Sequence, residues 1–246
     1  MLRRYLFVIC LGVFVCFGLG NASAQIINGD FSTDLSGWTT GGVNMTDENP
    51  PAAVITAGDV KVENGEAVLL DGSPGANIIF YSFLYQDVEL DPGWYTLELD
   101  FKYAFSRDAE DGFFPDSFYA SLIYTDDLSL VDLYNMAYGE DLLPLFAIED
   151  GVASYDDGEP TGTDPNAKGI EWIHYKVRFQ NSFAYVMPTF EIYGDNGSLD
   201  SEIRLDNISI TKEINPIPEP KTILLLTAGL ACFALMRLRH KKNITA

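Results

Sequence analysis

The sequence predicts an all-β protein, an antiparallel β-sandwich, between two apolar terminal segments. Stretches in the middle of the chain alternate apolar and polar residues with a period of two, which is typical of half-buried strands. Turn-forming sequences such as DGSPG, DPGW and GDNGS separate these stretches. The presumed mature domain contains no cysteine, so its core has to form without disulfides, which a chain of roughly 190 residues can do.

The first segment has the layout of a secretory signal peptide. Arg3 and Arg4 form a basic start, residues 6–19 form an apolar stretch, and Ala-Ser-Ala at residues 22–24 is a cleavage site of small residues. The alternative interpretation is an uncleaved anchor. We predict an exported protein with a signal peptide at 1–24 and a β-sandwich domain at 25–213.

Two stretches of the domain show the strand alternation most clearly. They are WYTLELDFKYAF at residues 94–105 and IEWIHYKVRF at residues 170–179. Weaker strands are predicted at residues 66–70, 78–90, 117–124, 183–193 and 202–211. Residues 129–146 are ambiguous between helix and strand, and residues 154–169 are predicted to be a long surface loop.

The domain is strongly acidic. All 36 Asp and Glu residues lie between the two apolar segments, together with eight of the 15 Lys and Arg residues, which gives that part of the chain a formal charge of −28. Such a surface repels nucleic acid and attracts divalent cations, so nucleic-acid binding is excluded.

The closing segment has three parts in a fixed order. A proline-rich linker at residues 214–220 ends in Pro218-Glu219-Pro220, an apolar run follows at 222–236, and four cations lie close behind it. As a helix the run spans only about 22 Å, which is short of a hydrocarbon core of about 30 Å. The cations are expected to stay in the cytoplasm, which leaves the acidic domain outside.

This order resembles the PEP-CTERM sorting signal of exported proteins in Gram-negative bacteria that make extracellular polysaccharide. The resemblance implies recognition of a short transmembrane sorting helix (221–246) by an exosortase-type membrane protease. Cleavage near Pro218, Glu219 and Pro220 would follow, after transient anchoring in the inner membrane. The protein would then reach the periplasm, the outer surface or the matrix of a biofilm. The alternative is an ordinary single-pass C-terminal anchor.

The two ends of the domain carry a second resemblance. The sequences NGDF and GW near its start, with LDNISI near its end, resemble carbohydrate-binding modules of xylanases and cellulases, a jelly-roll family related to galactose-binding domains. In that family the first and last strands pair, and a structural calcium ion commonly lies where they meet. The resemblance therefore implies Asp30 and Asp206 as calcium ligands, although Ser32 replaces the family's usual glutamate. The alternative role for both aspartates is turn and strand-end hydrogen bonding.

The usual catalytic motifs do not occur in this sequence, and His174 is expected to stand alone on an outward face. The sequence therefore predicts a non-catalytic protein. Sugar-binding sites use flat aromatic faces, and Trp172 and Trp94 on outward strand positions are candidate platforms. The alternative is that each of these two tryptophans covers a sheet edge or lies under a loop. Trp38 is predicted to be in the core. The first hypothesis is a surface or matrix protein, and the alternative is a lectin-like module with a specific glycan ligand.

Overall fold

The computed structural model describes residues 26–45, 53–71, 80–105, 116–149, 151–156, 158–162, 171–194 and 201–213. The predicted signal peptide, the Pro-Glu-Pro motif and the sorting helix lie outside these residues. Within them, no helix has the length and apolar character needed to cross a membrane. Contacts divide the chain into two units, Met1–Lys212 and Glu213–Ala246, and all the described strands belong to the first.

The described residues form sixteen strands and two short 3₁₀ turns, Leu128–Leu130 and Leu133–Asn135. In chain order the strands are β1 (Thr39–Met45), β2 (Ala53–Thr56), β3 (Val60–Glu63), β4 (Glu66–Leu70), β5 (Phe80–Tyr85), β6 (Val88–Glu89), β7 (Gly93–Ala104), β8 (Ser117–Thr125), β9 (Val131–Asp132), β10 (Ala137–Tyr138), β11 (Asp141–Glu149), β12 (Val152–Tyr155), β13 (Glu159–Gly162), β14 (Ile173–Asn181), β15 (Tyr185–Gly194) and β16 (Glu202–Lys212).

The strands build two sheets and a small ribbon. The eight-stranded sheet has the order β12-β11-β8-β15-β5-β1-β2, with β6 continuing β5 along β15. The six-stranded sheet has the order β13-β14-β7-β16-β4-β3, and β9 pairs with β10 in the ribbon. Every strand pair in the described part of the chain is antiparallel. The predicted all-β antiparallel fold is confirmed, and the architecture is consistent with a jelly-roll sandwich.

The predicted strands agree closely with the observed ones. The two most regular stretches are β7 and β14, and the weaker ones are β4, β5 with β6, β8, β15 and β16. The loop predicted at 154–169 is wrong in its first half, because residues 154–155 end β12 and Glu159–Gly162 form β13 at the edge of the six-stranded sheet. An edge position tolerates Pro160, since a proline there removes no hydrogen bond from the sheet interior.

The main core lies between the two sheets. The inward side chains of β7, such as Leu97, Leu99 and Phe101, form one cluster with inward side chains of the other sheet. Phe101 stacks on Phe146 of β11 with ring centroids 4.3 Å apart, and the Tyr175 hydroxyl donates to the carbonyl of Leu145 at 3.1 Å. These contacts join the sheets without a disulfide, as the sequence predicts.

The segment before β1 folds into one end of this core. Phe31 and Trp38 are buried with ring centroids 5.3 Å apart, which confirms the core position predicted for Trp38. The Ile208 amide donates to the carbonyl of Gly29 at 2.9 Å, so NGDF meets the last strand. The first and last strands themselves do not pair, however, because β1 lies in the eight-stranded sheet and β16 in the six-stranded sheet.

A second apolar cluster covers part of the outer face of the eight-stranded sheet. Residues 126–140, which contain both 3₁₀ turns and the ribbon, place Leu133 against Tyr81, Phe83 and Met187. We call residues 126–140 the cover segment. It protects the β5 side of this face and leaves the β8 and β11 side open. The open part is the site described next.

Candidate functional site

An open groove of about 490 Å³ lies on the outer face of the eight-stranded sheet, beside the cover segment. We call it the tyrosine groove. Its volume is in the range of ordinary small-ligand sites. Its lining residues come from four strands and the cover segment, and they are Tyr119, Ala120, Ser121, Tyr138, Leu142, Pro144, Phe146, Ala147, Glu149, Ser154, Asp156, Glu191 and Tyr193.

Strand register determines which side chains meet in the groove. Ala147 of β11, Tyr119 of β8 and Glu191 of β15 are direct cross-strand partners, so they form one row across the sheet. Ser121 and Tyr193 lie two residues away on the same faces of their strands. The small side chains of Ala147 and Ser121 form the bottom of the groove, and the larger side chains of Tyr119 and Tyr193 project from the sheet beside them.

Two tyrosine rings shape the centre of the groove. Tyr119 is 37% exposed, and its ring meets Tyr193 edge-on with centroids 5.7 Å apart. The Tyr119 hydroxyl donates to Glu149 Oε1 at 2.7 Å, which holds the exposed ring in place. Tyr193 stacks on the buried Tyr81 at 4.5 Å. The exposed ring is therefore positioned by a carboxylate at one end and by other aromatic rings at its side.

A carboxylate lies beneath these rings. Glu191 is only 4% exposed, and its Oε1 accepts hydrogen bonds from the hydroxyls of Tyr81 and, at 3.3 Å, Tyr138. Burial raises the pKa of Glu191, against the opposing effect of these two hydroxyls. Burial, together with the nearby Glu191 charge, also raises the pKa of Tyr81 and Tyr193, so both hydroxyls stay protonated at neutral pH.

Ser121 adds a polar group without a partner. The side chain is 5% exposed and lines the groove, and its Oγ has no hydrogen-bond partner within the described residues. A buried hydroxyl without a partner costs roughly 1–3 kcal/mol. A polar ligand in the groove would remove that cost.

The two predicted tryptophan platforms lie elsewhere, on the six-stranded sheet side. Lys102 Nζ lies 4.3 Å above the ring centroid of Trp172, and the Arg178 guanidinium lies 4.0 Å above that of Trp94. Trp94 also lines a smaller pocket of about 330 Å³ with Arg178. A cation thus covers one face of each ring. Whether either ring binds a sugar stays a prediction.

The predicted calcium ligands lie at the meeting point of the N-terminal segment and β16. Asp206 Oδ1 accepts from the Asn207 amide at 2.7 Å, and Asp30 Oδ1 accepts from the Ser32 amide at 3.4 Å. Burial raises the pKa of Asp206, and the charges of Asp100, Glu66 and Asp30 add to it. Within the described residues no group of three or more His, Cys, Asp or Glu side chains is arranged to hold a metal. Calcium binding stays a prediction.

The prediction that His174 stands alone on an outward face is wrong. Its Nδ1 lies 2.7 Å from Asp100 Oδ1, on the neighbouring strand β7. Asn207 Nδ2 donates to the other oxygen of the same carboxylate at 2.8 Å. Both groups orient Asp100 on the outer face of the six-stranded sheet, whereas the tyrosine groove lies on the eight-stranded sheet.

The sequence predicts a sugar-binding surface only at tryptophans on outward positions, and this prediction does not include the groove residues. A signal was present. β8 and β15 carry apolar or aromatic residues at both parities, in SFYASLIYT and YVMPTFEIYG, whereas β7 and β14 alternate strictly. A strand that is apolar on both faces predicts a second covered surface. Tyr119, Glu191 and Tyr193 lie on that second surface.

Comparisons with known proteins give structural similarity only. No protein-family model matches the chain, and no curated protein matches it significantly. The carbohydrate-binding module TmCBM61, solved with β-1,4-galactotriose, is 15% identical with a TM-score of 0.40, and the match covers 77% of this chain and 99% of that one. TmCBM27, a module studied for mannan recognition, is 15% identical with a TM-score of 0.37, over 78% and 98%.

A further match is the K3 cleaved adhesin domain of Lys-gingipain from Porphyromonas gingivalis. It is 15% identical with a TM-score of 0.43, and the match covers 77% of this chain and all of that one, at 100%. Similarities at this level carry no information about a ligand of this chain. The ligand has to be inferred from the surface itself.

Proposed function

We propose that this protein is a non-catalytic carbohydrate-binding protein and that the tyrosine groove is its sugar site. One observation carries the proposal: an exposed aromatic ring, a buried carboxylate and an unpartnered hydroxyl meet in one open cavity. Sugars present apolar ring faces edged by hydroxyl groups, so a site for them combines aromatic surface with a few fixed polar groups.

The exposed Tyr119 ring supports the aromatic part of the proposal. Glu149 fixes its hydroxyl and Tyr193 fixes its edge, so little conformational freedom is left to lose when a sugar packs against it. Binding surfaces that are ordered in advance avoid part of the entropy cost of association. By contrast, a sugar stacking on Trp94 or Trp172 would have to displace a cation or use the opposite face.

The polar groups of the groove support hydroxyl recognition. Ser121 Oγ can donate or accept, and the Glu191 and Glu149 carboxylates accept. Both described hydrogen bonds of Glu191 go to Oε1, which leaves Oε2 for a ligand. A sugar hydroxyl that bonds to these buried groups gains more than it would at an exposed surface, because water competes less for them.

The test is a glycan array with the purified protein, followed by calorimetric titration of the best ligand against two variants. We expect Tyr119→Ala to weaken binding at least about tenfold, which is 1.4 kcal/mol. Ala147→Phe, which fills the groove floor, should abolish binding. Both variants should keep the free energy of unfolding within about 1 kcal/mol of the wild-type value, because Tyr119 and Ala147 are not fully buried.

Trp172→Ala and Trp94→Ala are the matched comparisons. If the groove is the site, both variants bind like the wild type. Loss of binding in either tryptophan variant, with Tyr119→Ala unchanged, would move the site to the six-stranded sheet. The bound oligosaccharide should also be recovered intact after prolonged incubation. Cleavage products that vanish in Glu191→Gln would identify a hydrolase instead.

We further propose that the protein is exported and sorted by its C-terminal segment to the cell surface or an exopolysaccharide matrix. The support is the order of Pro218-Glu219-Pro220, the short apolar run and the basic end in the sequence. The two prolines disfavour regular structure and so keep the motif accessible to an exosortase-type protease. A sugar-binding domain delivered there would contact the extracellular polysaccharide directly.

Mass spectrometry of the protein recovered from its native host tests this second proposal. We expect the mature chain to start at Gln25 and to end close to Pro218-Glu219-Pro220. A Glu219→Ala substitution should leave the C-terminal segment attached and the protein in the inner membrane fraction. Recovery of the wild-type chain with its last residue, Ala246, would instead support a permanent anchor.

A further inference from the structure

We propose that the tyrosine groove selects amino sugars, that is, glycans carrying free amino groups, over neutral and uronic acid glycans. This inference rests on the proposed function and adds the ligand's charge to it. Its basis is that three carboxylates line the groove, while none of the lining residues that the structure describes is a lysine, arginine or histidine.

The three carboxylates surround the groove on different sides. Glu191 lies in the floor, and Glu149 and Asp156 are exposed on β11 and just after β12. Other acidic surfaces of this protein carry cations among their carboxylates, such as Arg204 beside Glu63 and Glu66. In the tyrosine groove, no lysine, arginine or histidine among the described lining residues pairs with the carboxylates. A ligand with positive charge would balance them.

Glu191 is the group that gains most from a cationic ligand. Its described partners, Tyr81 and Tyr138, are neutral hydroxyls, so no counter-charge offsets its burial. Hydrogen bonds between an ammonium group and a carboxylate are roughly twice as strong as neutral ones. An amino group beside Glu191 in the groove would pair this charge, and Ser121, which lines the same groove, has a buried hydroxyl without a partner in the described residues.

The same charges disfavour the opposite class of ligand. A uronic acid carboxylate would lie near Glu191 and Glu149, where like charges repel and no cation among the described lining residues compensates. A neutral N-acetyl group would fit the aromatic surface but leave the Glu191 charge unpaired. The expected order of affinity is therefore amino sugar, then neutral sugar, then uronic acid.

The test compares oligosaccharides that differ in the charge of their substituents. Hexamers of glucosamine and N-acetylglucosamine, each in β-1,4 and β-1,6 linkage, and a β-1,4-linked hexamer of glucuronic acid are titrated into the purified protein at about 0.15 M salt, where long-range charge effects are screened. In at least one linkage, glucosamine should bind at least about tenfold more tightly than its N-acetylated counterpart. Glucuronic acid oligomers should not bind.

Two variants separate recognition in the groove from attraction to an acidic protein. Glu191→Gln should reduce the preference for glucosamine over N-acetylglucosamine to less than about threefold, because it removes the charge that only the amino sugar can pair. Glu159→Gln makes the same charge change on edge strand β13 of the other sheet, where Glu159 is exposed. It should leave both affinities unchanged. If Glu159→Gln lowers glucosamine affinity as much as Glu191→Gln does, the binding is a net-charge effect and the inference fails.

The remaining outcomes distinguish this inference from the proposed function. Neutral or uronic acid binding that equals or exceeds glucosamine binding, and is lost in Tyr119→Ala, would overturn the amino sugar preference and keep the groove as a sugar site. The same holds if the glycan array gives a ligand but no glucosamine hexamer binds. If no glycan of any class binds, the proposed function itself is wrong.

Discussion

The outer faces of the two sheets are built on opposite principles. On the six-stranded sheet, charged and polar side chains of different strands pair with each other: Lys102 with Glu66 at 3.0 Å, for example, and His174 with Asp100 at 2.7 Å. On the eight-stranded sheet, aromatic side chains such as Tyr81 and Phe83 fill the same kind of position and are buried by the cover segment. One face is in water and the other is a second core with a groove at its edge.

The difference shows what an outward strand position requires. A paired charged face needs only solvent and the adjacent strand, so it can be anticipated from alternation along each strand. An apolar outer face needs another piece of chain to cover it, and wherever that cover ends, a hydrophobic edge is left. The tyrosine groove is such an edge.

The largest expected effect contrasts an aromatic residue from each face. Phe83→Ala should lower the free energy of unfolding by about 3–5 kcal/mol, because the ring is buried among Tyr81, Tyr85 and Tyr134. Trp172→Ala should cost about 1 kcal/mol or less, since the ring is 37% exposed and holds one cation. Urea unfolding curves of both variants test this. Equal losses would mean that the outer-face cluster is not a second core.

The next effect concerns the charged face. Arg204 pairs with Glu63 at 3.1 Å, with Glu66 at 3.0 Å and with Glu202, and its hydrogen bond with Glu202 raises its pKa further. Arg204→Ala should cost about 1–2 kcal/mol, because three carboxylates lose their shared cation. The control is Lys176→Ala, which removes an exposed pair with Glu98 and should cost at most about 0.5 kcal/mol. A loss for Arg204→Ala that is as small as that of the control would show that solvent screens the whole face.

A smaller effect of the opposite sign is expected at Glu191. Burial raises its pKa, so its contribution to stability is complete at low pH and is lost as the pH rises through the raised value. Glu191→Gln keeps an oxygen for Tyr81 and Tyr138 but removes the charge. The variant should match the wild type near about pH 4 and be more stable by about 1 kcal/mol near pH 7. A difference that does not change with pH would show that Glu191 is not the titrating group.

The smallest expected effect is that of calcium at Asp30 and Asp206. Melting in excess calcium rather than EDTA should raise the melting temperature by about 3 °C, and Asp206→Asn should abolish the rise. Neutralising the repulsion around Asp206 would stabilise β16 in the interior of the six-stranded sheet and leave the groove unaffected. Identical melting curves in calcium and EDTA would remove the calcium prediction.

Strand β1 could not be predicted from the sequence, and the packing around it explains why. β1, TTGGVNM, lacks the apolar alternation of a strand because Gly41 and Gly42 occupy its centre. A Cβ at Gly41 would lie 2.3 Å from the Phe83 ring, and one at Gly42 would lie 2.6 Å from the carbonyl oxygen of Tyr81. Glycine is required there by close approach, so a weak strand signal marks a tightly packed strand.

The tyrosine groove could not be predicted from the sequence for a different reason. Tyr119 and Glu191 are cross-strand partners on β8 and β15, although strands β9 to β14 lie between them in the sequence. Nothing local to either strand indicates the other. The two ends of the domain were predicted in part. The resemblance carried by NGDF and LDNISI implies that the first and last strands pair, whereas the contact is made by the segment before β1, through the Ile208 amide and the Gly29 carbonyl.

The sequence by itself determined that this protein has an antiparallel sandwich without disulfides, an acidic surface and a buried Trp38, because alternation and composition act residue by residue along the chain. Only the tertiary structure decided which outward faces are paired, covered or open. Strand order and register choose each side chain's neighbours, and these neighbours decide whether a tyrosine is core or binding surface and whether a buried glutamate finds a counter-charge.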